Sequence, residues 1–220
     1  MTSAWRVVPT VIVVAATLLA APGTSAQPRS LTTGFQDDSG WCAGPFMDLT
    51  AVNALTITSF DMYFKGTLNR NVSVYYKVGT YVGSENTPAA WTLLGTVNVT
   101  PAGSGTATAV NLGGVAIPAG QTYGFHVWDN LGTGGSDGGG LILKSSPPTH
   151  SNADLSLTSY YYTCDSAFGS PNPGFGWQGT VYYALGSGEA IPVLGSEGLV
   201  GLAAVVLLLG WFVLRQRSAA

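Results

Sequence analysis

From residue 72 to residue 78 the chain alternates, with Val72, Val74, Tyr76 and Val78 on one side and Ser73, Tyr75 and Lys77 on the other. Successive side chains of a strand point to opposite faces, so a period of two specifies half-buried β-structure. The alternation resumes in Trp91, Leu93, Val97 and Val99, then in Thr106, Thr108, Val110 and Leu112, and again in Tyr123, Phe125 and Val127. Pro/Gly-rich stretches at 101–105 and 117–122 supply turns between these runs. Over 54–64 the apolar phase slips from Leu55 and Ile57 to Phe60, Met62 and Phe64, which predicts a bulge or a change of sheet. Short strands are expected at 46–49 and 141–144, an aromatic strand over 154–164 and a last strand over 177–185. No stretch between Gln27 and Gly188 repeats with a helical period. About nine or ten strands separated by turn signals predict an all-β fold, a single β-sandwich of jelly-roll or Greek-key type.

The two ends of the chain follow other rules. Arg6, an apolar run over 7–21 and the small residues Thr24, Ser25 and Ala26 make a secretory signal peptide, expected over 1–26. At the other end a nearly unbroken apolar run covers 199–214, followed by Arg215 and Arg217. A run of that length spans a thin hydrocarbon core as a helix, and the arginines hold its end in the cytoplasm. The expected organisation is therefore a signal peptide 1–26, a lead-in of little regular structure 27–44, the β-sandwich 45–186, a linker with a motif 187–198, a transmembrane helix 199–214 and a basic tail 215–220. The mean hydropathy of +0.28 is raised by the two apolar ends and says little about the domain between them.

Ahead of the membrane run, Ile191, Pro192 and Leu194, with Gly198 four residues on, form a pattern that resembles the IPTL-type C-terminal sorting signals of exported bacterial proteins. The resemblance implies handling by an exosortase-like membrane protease. Val193, Gly195, Ser196 and Glu197 depart from the usual Thr, Ser, Glu and Trp, and a plain single-pass anchor would carry the same helix and arginines. Both fates stay open on sequence. The segments 57–61, 74–79, 91–95 and 117–125 together resemble a domain recurring in exported bacterial proteins, often beside sorting signals or repeats. That likeness brings no chemistry and no functional residues with it.

Export sets the redox environment of the chain's two cysteines, Cys42 and Cys164, one near each end of the domain. An even count in an oxidising compartment favours a disulfide, with two buried thiols as the alternative. The formal net charge is −3, and no Lys/Arg cluster lies outside the tail, so a nucleic-acid partner is not expected. The acidic residues show no arrangement diagnostic of a glycosidase, and neither a nucleophile elbow nor a zinc-protease helix motif occurs. A noncatalytic chain without cofactors is expected. Cys42, Cys164, His126 and His150 lack metal-ligand spacing. Asp129, Asn130 and Asp137 in a glycine-rich loop offer oxygens for Ca²⁺, but the spacing matches no EF-hand and a solvated loop tip is the favoured reading. Four aromatic residues beside loops, Trp128, Tyr161, Phe175 and Trp177, are candidates for stacking on a polysaccharide.

Overall fold

The computed structural model describes residues 28–36, 40–131, 139–145 and 149–186. The stretch expected as a signal peptide, residues Ile191, Pro192, Leu194 and Gly198 of the expected sorting motif, the stretch 199–214 expected as a membrane helix, and Arg215 and Arg217 all lie outside the described residues. Among the described residues no helix is long and apolar enough to cross a membrane.

The architecture is all-β and sandwich-like. One sheet of five strands runs β1 (Pro28–Thr32), β16 (Gly179–Leu185), β4 (Leu55–Tyr63) and β7 (Ala107–Val110), with β8 (Val115–Ile117) also on β4. A sheet of eight runs β11 (Thr149–Ser151), β12 (Leu155–Thr158), β3 (Gly44–Ala51), β9 (Thr122–Asp129), β5 (Arg70–Val78) and β6 (Thr92–Val99). To this sheet β13 (Tyr161–Thr163) is added on β3, and β14 (Asn172–Pro173) on β13. A third sheet of three strands runs β15 (Gly176–Trp177), β10 (Leu141–Lys144) and β2 (Gly40–Cys42). All the strand pairings are antiparallel.

The three sheets share one core. Met47, Leu49, Phe125 and Val127 of the large sheet meet Ile57, Phe60, Met62 and Val181 of the five-stranded sheet, and Leu141, Leu143 and Trp177 close one side. Phe60 and Phe125 touch across it with ring centroids 5.8 Å apart. Each such side chain, fully removed from water, contributes about 1.5–3 kcal/mol.

The phase slip in 54–64 is a β-bulge. Tyr182 lies opposite Ser59 and Tyr183 opposite Ile57, which leaves Thr58 as the extra residue of β4. The chain passes close to this bulge at Gly113, where a Cβ would stand 2.2 Å from the Thr58 carbonyl oxygen. A side chain there would force backbone apart, so the position requires glycine.

Several expectations are corrected. Within the lead-in 27–44, the described residues include regular structure: β1 pairs with β16 along five residues and β2 pairs with β10. In β1 only Leu31 is buried, so the segment carries almost no apolar pattern to announce itself. The aromatic strand over 154–164 divides into β12 and β13, and the last strand divides into β15 and β16. Leu93 is not inward but 52% exposed, because a bulge at Leu94 separates the pairs Val74–Gly95 and Tyr75–Leu93. Trp91 is buried, yet it packs outside the main core, against Phe46 and Tyr81.

An ion pair lies buried inside the fold. Arg70, at the start of β5, donates from a guanidinium nitrogen to Asp129 Oδ2 at 2.5 Å, and both side chains are fully buried. Arg70 also donates from Nε to the Leu68 carbonyl at 3.1 Å and lies 5.4 Å from the centre of the Phe64 ring. Asp129 Oδ1 accepts the Leu131 amide. The expectation of a solvated loop tip is thereby corrected for Asp129, which is buried with its carboxylate committed to an internal cation, an arrangement that also removes it as a calcium ligand. Asp137 lies outside the described residues.

Candidate functional site

The inner face of the large sheet is spent on the core, and its outer face carries the candidate residue Trp128. There the antiparallel register sets side chains in rows. Phe46 of β3, His126 of β9 and Tyr75 of β5 form one row, and Trp128 and Ser73 with Thr96 of β6 form the next. Asn71 and Asn98 begin a third, joined by Asn130, whose amide donates to the Asn71 carbonyl.

Two excursions of the chain fold over the first row. The connection after β5 brings Tyr81 and Trp91, and the segment from β13 onward brings Tyr161 and Phe168. Asp48 pins the first excursion by accepting from the Tyr81 amide at 2.9 Å and the Thr80 hydroxyl at 2.6 Å. The result is a small second core of rings. Phe46 stacks on His126 with centroids 4.0 Å apart, and Phe168, Tyr75, Trp91 and Trp128 surround the imidazole at 5.2–6.3 Å. Gly44 makes room for this packing. A Cβ on it would come within 2.6 Å of His126 Cε1 and 2.7 Å of Trp128 Cε3.

His126 is fully buried. Its Nδ1 donates to the Pro45 carbonyl at 3.1 Å, which leaves the lone pair on Nε2, and that atom has no hydrogen-bond partner. Burial is the dominant cause that lowers its pKa from 6.5 to about 4, against weaker opposing effects of the Pro45 and Ala167 carbonyls. The imidazole is therefore a neutral part of the packing at neutral pH.

The shift has a consequence for stability. Between pH 6.5 and 4 the unfolded chain binds a proton that the folded chain refuses, so stability is whole above pH 6.5 and falls as the pH drops toward 4. The loss attributable to His126 should reach about 3 kcal/mol. Urea midpoints measured across this range should fall more steeply for the native chain than for His126→Phe, which shares every other titrating group. Parallel curves would show that His126 does not carry the effect.

The four aromatic candidates separate. Trp128 is half-buried on the outer face, and Tyr161, also half-buried, reaches the same cluster through Tyr81 at 6.3 Å. Phe175 packs edge-on against Tyr162 at 5.7 Å and belongs to the periphery of the main core. Trp177 is 1% exposed and meets Phe60 edge to face at 6.4 Å, so its indole has no face to offer a sugar and its candidacy is corrected. The predicted bridge is formed: Cys42 and Cys164 are disulfide-bonded with Cα atoms 4.8 Å apart.

Beside Trp128 lies a strip without charge that sequence reasoning did not single out. The Ser73 and Thr96 hydroxyls bond at 2.7 Å, Asn98 Nδ2 donates to Asn71 Oδ1 at 3.0 Å, and Asn130 Nδ2 donates to Ser73 Oγ at 3.3 Å. Asn71, Thr96, Asn98 and Asn130 are exposed, with amide and hydroxyl capacity left for a ligand. The outward side of β5 was visible as the row Ser73, Tyr75 and Lys77, but nothing local to the sequence pairs it with Trp128.

The sequence matches no family model and no curated protein. Among solved structures, 74% of the chain aligns with 37% of a chain in the structure of infectious bursal disease virus Gt strain, at 12% identity and a TM-score of 0.23.

Proposed function

We propose that this is a noncatalytic exported protein of the cell envelope or extracellular matrix, presenting a β-sandwich of jelly-roll or Greek-key type outside the cytoplasmic membrane. The Cys42–Cys164 bridge carries the reading, because disulfides persist in oxidising compartments. The register gives further support. Pro28 lies opposite Ala184, so the segments before β1 and after β16 leave from one end of one sheet, which suits a domain held by a tether. Non-sequential neighbours, β16 between β1 and β4 and β3 between β12 and β9, favour Greek-key connections. In this reading the signal peptide delivers the chain, Ile191, Pro192, Leu194 and Gly198 are read by an exosortase-like protease, and Arg215 and Arg217 hold the membrane helix in place.

C-terminal mass spectrometry of protein recovered from envelope and medium tests the tail. A membrane form ending at Ala220 should precede a shorter form lacking 199–220. Replacing Pro192 and Leu194 by alanine should abolish the shorter form without affecting insertion, since neither change touches the apolar run. Ala220 on every mature molecule would reduce the segment to a single-pass anchor.

A second reading, a surface-anchored carbohydrate-binding module, is favoured by one observation: the half-buried Trp128 borders the uncharged strip of Asn71, Ser73, Thr96, Asn98 and Asn130. Rings stack on the apolar faces of sugars while amides and hydroxyls meet their hydroxyl groups. Pull-down on neutral polysaccharides should detect binding, and Trp128→Ala should weaken it by about tenfold or more, the loss of 1.4 kcal/mol or above. Retention of binding by a folded Trp128→Ala variant would remove the strip from consideration. Hydrolysis of a polymer by the purified chain would overturn both readings.

A further inference from the structure

The open edges of the sheets are not alike. A free strand edge presents unpaired N–H and C=O groups that will pair with another strand, and proteins blunt such edges with charge, proline, brevity or a bulge. β1 carries Pro28 and Arg29, and its Ser30 carbonyl accepts a hydrogen bond from Asn152. β14 is two residues long and contains Pro173, β11 has three residues, and β7 has four. β6 is different. It has eight residues without a charge or a proline, pairs with β5 on one side, and pairs with no described strand on the other. Its bulge at Leu94 blunts the first part, so the unprotected edge is the regular segment 95–99.

We infer that two copies of this chain pair through their β6 edges, antiparallel about a two-fold axis at Val97. This register matches the faces of the strand. Thr96 and Asn98, both on the outer face, lie opposite each other twice, hydroxyl against amide. Gly95 and Val99 lie opposite each other on the core side. Directly opposed side chains on one face are the unit of sheet stabilisation, and like charges there are destabilising. With no charge on the segment, self-pairing brings none together. A two-fold contact uses the same patch on both partners, which a strand matched to itself satisfies. Leu93, 52% exposed, lies on the same strand just ahead of the bulge. The inference rests on sheet geometry and holds for either reading of function. It also runs the two uncharged strips into one.

The full-length chain in detergent, followed by sedimentation equilibrium over a concentration series, tests it. The native chain should show a monomer–dimer equilibrium. Thr96→Lys with Asn98→Lys sets lysine opposite lysine twice and should raise the dissociation constant at least tenfold. Thr96→Lys with Asn98→Glu sets lysine opposite glutamate twice and should keep the dimer. Both pairs of changes fall on exposed side chains and remove the same Thr96–Ser73 and Asn98–Asn71 contacts, so loss of fold is not expected to separate them. A monomeric native chain overturns the inference. So does a Lys/Lys variant that associates like the native chain, as it would if the membrane helix drove assembly, and so does equal weakening in both variants.

Discussion

Arg70→Met is expected to cost about 3–5 kcal/mol of folding stability, among the largest effects of any single substitution in the domain. The side chain is replaced by one of similar reach that carries no charge. Asp129 is then left as a buried carboxylate without its cation, and that uncompensated charge, rather than the worth of the ion pair, sets the cost. Arg70→Met with Asp129→Leu removes both charges together. The double variant should recover much of the loss, because well-packed apolar replacements of a buried pair are often neutral. Urea unfolding of the native chain, the two single variants and the double variant forms a complete cycle. Additive losses in the double variant, or a loss below about 1 kcal/mol in Arg70→Met, would show that the two groups are not coupled as the geometry indicates.

That pair also marks where the sequence stops being readable. Strands with a strict period announce themselves: the pattern of β5 is plain in Val72 and Val74, and the bulge of β4 is plain in the slip from Ile57 to Phe60. β1 was not legible, since a single buried Leu31 among exposed neighbours gives no period, and its place comes from pairing with β16 about 150 residues away. The same limit applies to the site. Trp128 and Trp177 are equivalent in composition, and only the stacking of sheets sends one to the outer face and the other into the core. His126 looked like an isolated ligand type. Its meaning as the centre of a ring cluster depends on Phe46, Trp91 and Phe168, which come from separate parts of the chain. Asp129 looked like a loop carboxylate because its partner Arg70 lies 59 residues upstream. The cysteines were the exception among long-range contacts, because the expected export and an even count together left few ways to use them.

Removing the disulfide should produce the other large effect. The bridge joins residues 122 apart, Cys42 in β2 and Cys164 just beyond β13, and so constrains most of the domain in the unfolded chain. In the chain-entropy account a loop of that length is worth about 4–5 kcal/mol, nearly all of it from denying conformations to the unfolded state. The folded state should change less. Thr163 pairs with Gly44 immediately beside the bridge, and β3 is held independently by β9 and β12, so the cysteines sit at a junction that hydrogen bonds already fix. Cys42→Ala with Cys164→Ala should therefore keep the ring cluster around His126 and its near-ultraviolet signature while the urea midpoint falls. Cys42→Ala alone should do the same, with one added thiol. A loss of less than about 1 kcal/mol with the fold intact would mean that the unfolded chain is already compact around this junction, and the entropic account would be wrong for this protein. Loss of the near-ultraviolet signal in native buffer would carry the opposite meaning: the bridge would be holding β2 and β13 against β3, and the hydrogen bonds at Gly44 and Thr163 would depend on it.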